Sequence, residues 1–131
     1  MLLITAFFAS VLTFIYIKLA KNVIRLRRES NISVGHGKSE PLEKAIRAHA
    51  NFNEYVPLGL ILMACLEINN FNTLIIILVG GLFLIGRFLH AQSFLKEEMD
   101  IDLRVKGMKC TFWSLMIMSG LNFFSIAMSF L

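Results

Sequence analysis

The chain has 131 residues, of which 56% are hydrophobic and only 17% charged, with a mean hydropathy of +0.69. Soluble domains carry about 25% charged and about 45–50% apolar residues, so the composition excludes a soluble globular protein, a disordered chain and a disulfide scaffold. A net charge of +4 would suit nucleic acid on a soluble protein, but no basic run interleaved with aromatics occurs here, and no nucleic-acid partner is expected.

Residues 1–17 carry no charge and, with Leu19 and Ala20, predict a first membrane span closed by the basic run from Lys18 to Arg28. Basic residues follow the apolar run rather than precede it, which marks a retained first span instead of a cleaved signal peptide. The polar, glycine-containing stretch 29–40 reads as a loop. Ser39 or Glu40 caps the next helix, with Pro41 in its first turn and Glu43 just inside.

This second helix is polar from Glu43 to Glu54 and charge-free only from Tyr55 to Leu66, twelve residues. Twelve residues rise about 18 Å, short of the roughly 30 Å hydrocarbon core. Its polar half must therefore reach membrane depth or the interface while facing protein, and Pro57 is a candidate kink. After the turn Asn69–Asn72, a nineteen-residue charge-free run from Ile68 to Gly86 forms a third span. Its Gly80–Gly81 pair permits close helix contact, with ordinary glycine tolerance in a membrane helix as the alternative. The polar stretch 96–109 reads as a second basic loop, and Cys110–Leu131, twenty-two residues without charge, as the fourth span. The expected fold is all-α: an integral membrane four-helix bundle filling residues 1–131 as one domain.

Eight of the thirteen Lys/Arg lie between Lys18 and Arg47 and five between Arg87 and Lys109, with none in the turn between helices 2 and 3. The positive-inside rule then predicts both basic loops in the cytoplasm and both termini outside it.

Three constellations are candidates for chemistry. Arg47, Asn51 and Glu54 stand at i, i+4 and i+7 and share one face of helix 2. A cation, an amide and a carboxylate at the mouth of a span form either a packing network or a site for a small zwitterion. In the second reading Arg47 grips a carboxylate, Glu54 an ammonium and Asn51 a peptide group. Arg87, His90 and Phe94 share a face of helix 3 at the same level, where Arg87 snorkels and His90 caps the helix end, or both join the site. Arg25, Arg27 and Arg28 end helix 1 as topology signals and lipid contacts, with one of them reaching into the site as the other possibility. Arg104 opens helix 4 as a solvated charge or as a cation beside a reacting thiol. Cys65 and Cys110 lack metal-ligand spacing and stand at different membrane depths, so both read as packing residues, and no metal is expected.

The segment Arg47-Ala-His-Ala-Asn-Phe-Asn-Glu-Tyr-Val-Pro57 resembles the signature of the MAPEG family, the membrane-associated proteins in eicosanoid and glutathione metabolism. The Val-Ile-Arg-Leu-Arg-Arg end of helix 1 and the run Arg87–Phe94 on helix 3 match that family in order and spacing. The resemblance spans essentially the whole chain and is closest to the small bacterial inner-membrane members. It implies a homotrimer binding glutathione between neighbouring subunits on the cytoplasmic side. It also implies that Arg25 (with Arg28 the alternative), Arg47, Asn51, Glu54, Tyr55, Arg87 and His90 contact glutathione, and that Arg104 stabilises its thiolate. Phe94 stands where several family enzymes have a tyrosine, so one hydroxyl contact to glutathione is missing.

The chemistry is consistent with this. Glutathione carries two carboxylates, one ammonium and one thiol, and so needs more cations than anions. A free thiol has a pKa of about 8.5 and is only a few per cent thiolate at pH 7. A nearby arginine in a low-dielectric pocket lowers that pKa, each unit being about 1.4 kcal/mol. The expected function is a membrane-bound glutathione transferase, with glutathione as co-substrate and an apolar electrophile arriving from the lipid, extending to glutathione peroxidase chemistry. The alternative is a non-catalytic lipid-binding or assembly protein on the same trimeric scaffold.

Overall fold

The computed structural model describes residues 1–95 and 99–130. Lys96 and Leu131, which bound the second basic loop and the fourth apolar run, lie outside the described residues. Four helices follow one another: α1 Leu3–Ser30, α2 Glu40–Ile68, α3 Thr73–Leu95 and α4 Ile101–Met128. α1, α3 and α4 are each long and apolar enough to cross a membrane. They expose large apolar side chains outward, among them Phe14, Leu78, Ile85, Trp113 and Phe123, as an integral membrane protein does.

α2 departs from the four spans expected. Its 29 residues rise about 43 Å, ample for a crossing, but its polar first half keeps it out of the set that composition alone identifies. Its buried positions Leu42, Ala45, Ala48, Phe52, Val56, Gly59, Met63 and Leu66 recur every three or four residues. The polar side chains are thereby confined to the remaining faces. The helix continues unbroken through Pro57.

The turns are specified by short polar side chains. α1 ends at Asn31, left-handed at φ 53°, with Ile32 N–H donating back to Arg27 O at 3.1 Å. Ser39 Oγ caps α2 by accepting Leu42 N–H at 3.4 Å, with Pro41 in the first turn. Asn70 supplies a second left-handed residue between α2 and α3, and Asn72 Oδ1 accepts from Leu74 and Ile75 N–H. Asp100 Oδ1 caps α4 through Leu103 N–H at 2.9 Å. Helix α4 therefore starts at Ile101 and not near Cys110, and most of the supposed second basic loop is helical. The misreading has a simple cause: Asp102, Arg104, Lys106 and Lys109 are solvated helical side chains, so polarity did not mark the boundary.

α2 and α3 form the middle of the bundle. α1 packs on both, α4 packs on both, and α1 and α4 do not meet among the described residues. α3 and α4 approach at backbone distance: a Cβ on Gly107 would lie 2.6 Å from His90 N, and one on Gly86 2.8 Å from Thr111 N. The close contact expected at Gly80–Gly81 is divided. Phe8 of α1 and Met63 of α2 fill the space beside Gly80, whereas Gly81 faces open space. At the far end of α2, the Glu67 carboxylate accepts Ile4 N–H, Thr5 N–H and the Thr5 hydroxyl at 2.8, 2.8 and 2.7 Å. It serves α1 as an N-terminal cap supplied by another helix.

Candidate functional site

Where the start of α2 meets the end of α3 and the start of α4, a cavity of about 390 Å³ opens. Volumes of this size suit small-molecule ligands. α2 contributes Glu43, Lys44, Arg47, Ala50, Asn51 and Glu54, α3 contributes His90 and Phe94, and Met99 and Arg104 close the α4 side. The residues that sequence spacing set on one face of α2 thus share a wall, and the two following helices supply the opposite one. Among the described residues the lining charges are three cations, Lys44, Arg47 and Arg104, against two carboxylates, Glu43 and Glu54.

Arg104 is held by two soft contacts. Its guanidinium carbon stands 5.1 Å above the Phe94 ring, and Nη1 donates weakly to Met99 Sδ at 3.7 Å. The His90 ring is 1% exposed and lies 5.3 Å from the Phe94 ring, and its Nε2 has no hydrogen-bond partner. Lys44 is ion-paired to Glu40 at 2.7 Å.

Arg87 differs from both sequence readings, since it neither snorkels nor lines the cavity. It is 0% exposed, Nη2 donates to Asn51 Oδ1 at 2.9 Å, and Nε and Nη1 have no hydrogen-bond partner among the described residues. The rings of Tyr55 and Phe52 flank it at 5.4 and 5.9 Å. Tyr55 meets Phe112 of α4 edge to face at 5.7 Å and lies behind the cavity wall, not on it.

The helix 1 arginines are not brought into the cavity within one chain. Arg25 is paired to Glu29 at 2.8 Å, donates to Asn22 Oδ1 at 2.9 Å, and lines a neighbouring cavity that shares Lys44 and Phe94 with the first. Arg28 borders a shallow depression beside Arg27, Asn31 and Ser33. Arg27 is occupied in holding the loop, donating to the carbonyls of Ile32, Ser33 and Gly35.

Sequence reasoning missed Glu43, Lys44, Ala50 and Met99 as lining residues. Glu43, Ala50 and Lys44 stand three or four residues from Arg47 on the same helix, so extending the face by one turn in each direction finds them. Met99, beyond the end of α3, carries no such signal.

A family model described as "MAPEG family" matches residues 5–124, which take in α2 and α3, nearly all of α1 and α4, and every lining residue of the cavity named above. Two Escherichia coli proteins, from strains K12 and CFT073 and both named inner membrane protein YecN, are each 30% identical to this chain over 116 residues. The aligned stretch covers 88% of this chain and 87% of theirs. Since the matched region contains both the four-helix arrangement and the wall of Arg47, Asn51 and Glu54, the chain belongs to the MAPEG family.

Proposed function

We propose that the protein is a membrane-bound glutathione transferase that adds the glutathione thiolate to apolar electrophiles. One observation carries this reading: Arg47, Asn51, Glu54, His90 and Arg104, from three helices, line one cavity. The donor set complements glutathione. Arg47 and Lys44 meet carboxylates, Glu54 meets the ammonium, Asn51 meets a peptide group, and Arg104 faces the thiol. A guanidinium beside the sulfur favours its ionised form and so raises the fraction of competent nucleophile at pH 7. The thiolate forms the new carbon–sulfur bond and the leaving group departs with its electron pair, or the added proton comes from water. With a hydroperoxide as acceptor, a second glutathione completes the reduction to alcohol, water and glutathione disulfide.

The working assembly is a homotrimer. Arg47, Asn53 and Glu54 are exposed in the single chain on a helix whose second half is apolar. Facing lipid, such groups when charged are costly, up to about 2.5–3.5 kcal/mol each at the bilayer centre and less towards the interface, and a shared interface removes that exposure. The same interface would bring Arg25 of one copy to the cavity of the next, in line with its place beside the neighbouring pocket. Both basic loops lie on the cytoplasmic side and both termini outside, in an inner membrane like that named for the E. coli relatives. Cysteines placed by Ser33→Cys and Asn70→Cys should then label from opposite faces of intact cells.

The test is glutathione binding by calorimetry on the detergent-purified protein, together with the ultraviolet absorbance of the bound thiolate and conjugation of a small apolar electrophile. Saturable binding with thiolate absorbance at neutral pH supports the transferase. The second reading, a non-catalytic lipid-binding or assembly protein, is favoured by the engagement of Arg104 with Phe94 and Met99, which already occupies its guanidinium. It predicts binding without thiolate, or no binding, with an intact trimer by mass measurement.

A further inference from the structure

The buried Arg87 has one directional polar contact, to an amide that forms part of the cavity wall. A guanidinium has five N–H donors and no acceptor. The atom of Asn51 lying 2.9 Å from Nη2 is therefore the side-chain oxygen, and a flipped amide would set N–H against N–H beside a cation. With the oxygen turned to the guanidinium, the Nδ2 group, with its two N–H donors, is the part of Asn51 directed away from Arg87. No ion pair to Arg87 exists among the described residues, and two of its nitrogen groups stay unbonded although it is 0% exposed. A group added for packing alone would not be left in this state, because an unpaired buried cation is among the more destabilising features a bundle can hold.

We infer that Arg87 is a positioning residue that acts through Asn51, fixing the amide so that this point of the cavity is a hydrogen-bond donor and selects a ligand carbonyl or carboxylate oxygen there. The inference rests on the proposed glutathione reading only for the identity of that ligand. It also replaces the direct Arg87–glutathione contact implied by the family resemblance: the guanidinium lies behind the wall, between Phe52 and Tyr55. The site is then read by a chain of two residues, in which a fixed charge orients a neutral group and the neutral group does the recognising.

The experiment is a double-mutant cycle on glutathione affinity, combined with carbon and nitrogen resonances of selectively labelled asparagine in the detergent-purified protein. The Asn51 signals are assigned by their loss in Asn51→Ala. In the free protein, Arg87→Met should move the Asn51 side-chain carbonyl and Nδ2 resonances, since the oxygen loses its charged donor. Glutathione affinity should fall about tenfold in Arg87→Met, the worth of one hydrogen bond, and should fall no further when Arg87→Met is added to Asn51→Ala. An equal loss in both backgrounds would mean that Arg87 acts on the ligand directly through its charge, and would overturn the proposal, as would unmoved Asn51 resonances. Should Arg87→Met not fold, Asn51→Asp keeps an oxygen facing Arg87 while it replaces the Nδ2 donor with an acceptor and adds a negative charge that pairs with the guanidinium. It should hold or raise thermal stability while weakening glutathione at least tenfold, and retained affinity would overturn the proposal. If the wild-type protein binds no glutathione, the transferase reading fails, whereas the resonance comparison still decides how Asn51 is oriented.

Discussion

The two ends of α2 handle buried polarity in opposite ways. At the Glu67 end a carboxylate receives three donors from the start of α1, so that charge, helix terminus and hydroxyl satisfy one another. At the Arg47 end, about 30 Å away along the helix, Arg87 makes one hydrogen bond among the described residues, and His90 Nε2 is buried with no hydrogen-bond partner among them. A closed network stabilises and needs nothing further. An open one carries a free-energy penalty, which a ligand can relieve at His90 on the cavity wall but not at Arg87 behind it, and the open end has the larger and more highly charged cavity of the two ends.

The comparison breaks first at Arg104. Arg104→Leu should lower conjugation at pH 7 by about 10–100-fold, corresponding to one or two units in the thiol pKa, and higher pH should restore part of the rate. The sign follows from the charge: without the guanidinium the thiol pKa rises, the thiolate fraction at pH 7 falls, and added hydroxide recovers it. Superimposable pH–rate profiles for wild type and variant would leave Arg104 a solvated charge. Arg47→Ala and Glu54→Ala should each weaken glutathione by about 1.5–3 kcal/mol with little change in melting temperature, read by calorimetry and thermal scanning. A less stable trimer with unchanged affinity would make the open end as structural as the closed one.

Glu67→Ala is the mirror experiment. It should lower stability by about 2 kcal/mol, from a lost helix cap and charged hydrogen bonds, and leave glutathione affinity unaltered. Gly107→Ala should cost about 1–3 kcal/mol, because the added methyl meets the rigid backbone at His90 and forces α3 and α4 apart. The smallest effect belongs to Gly81→Ala, within about 0.5 kcal/mol of wild type, since open space surrounds that position.

Much of this was legible in the sequence. Hydropathy located three membrane helices, and the i, i+4, i+7 spacing grouped Arg47, Asn51 and Glu54 because a helix face depends only on local geometry. The N-terminus of α2 was readable for the same reason, as Ser39 and Pro41 act within one turn. What stayed hidden depends on neighbours. Charged residues in the first turns of α4 masked its start, and nothing local distinguishes a snorkelling Arg87 from one sealed between Phe52 and Tyr55. The real α3–α4 contact uses two isolated glycines, Gly86 and Gly107, which the sequence does not pair. Arg25 lies outside the cavity, in a neighbouring one that shares only Lys44 and Phe94 with it, and nothing in the local sequence of α1 distinguishes the two.

The cap on α1 has a consequence for the order in which the molecule is made. Thr5 emerges from the ribosome early, and the carboxylate that satisfies its backbone comes 62 residues later. Until then the leading N–H groups of the first helix lack this carboxylate on the side of the membrane where the proposed topology places them. Translocation of the N-terminus and arrival of the α2–α3 turn are therefore thermodynamically linked, and α1 with α2 is completed as a hairpin. A ribosome-bound chain truncated before Glu67 should present its N-terminus on the far side less completely than one extended past Asn72, a difference that Glu67→Ala should erase.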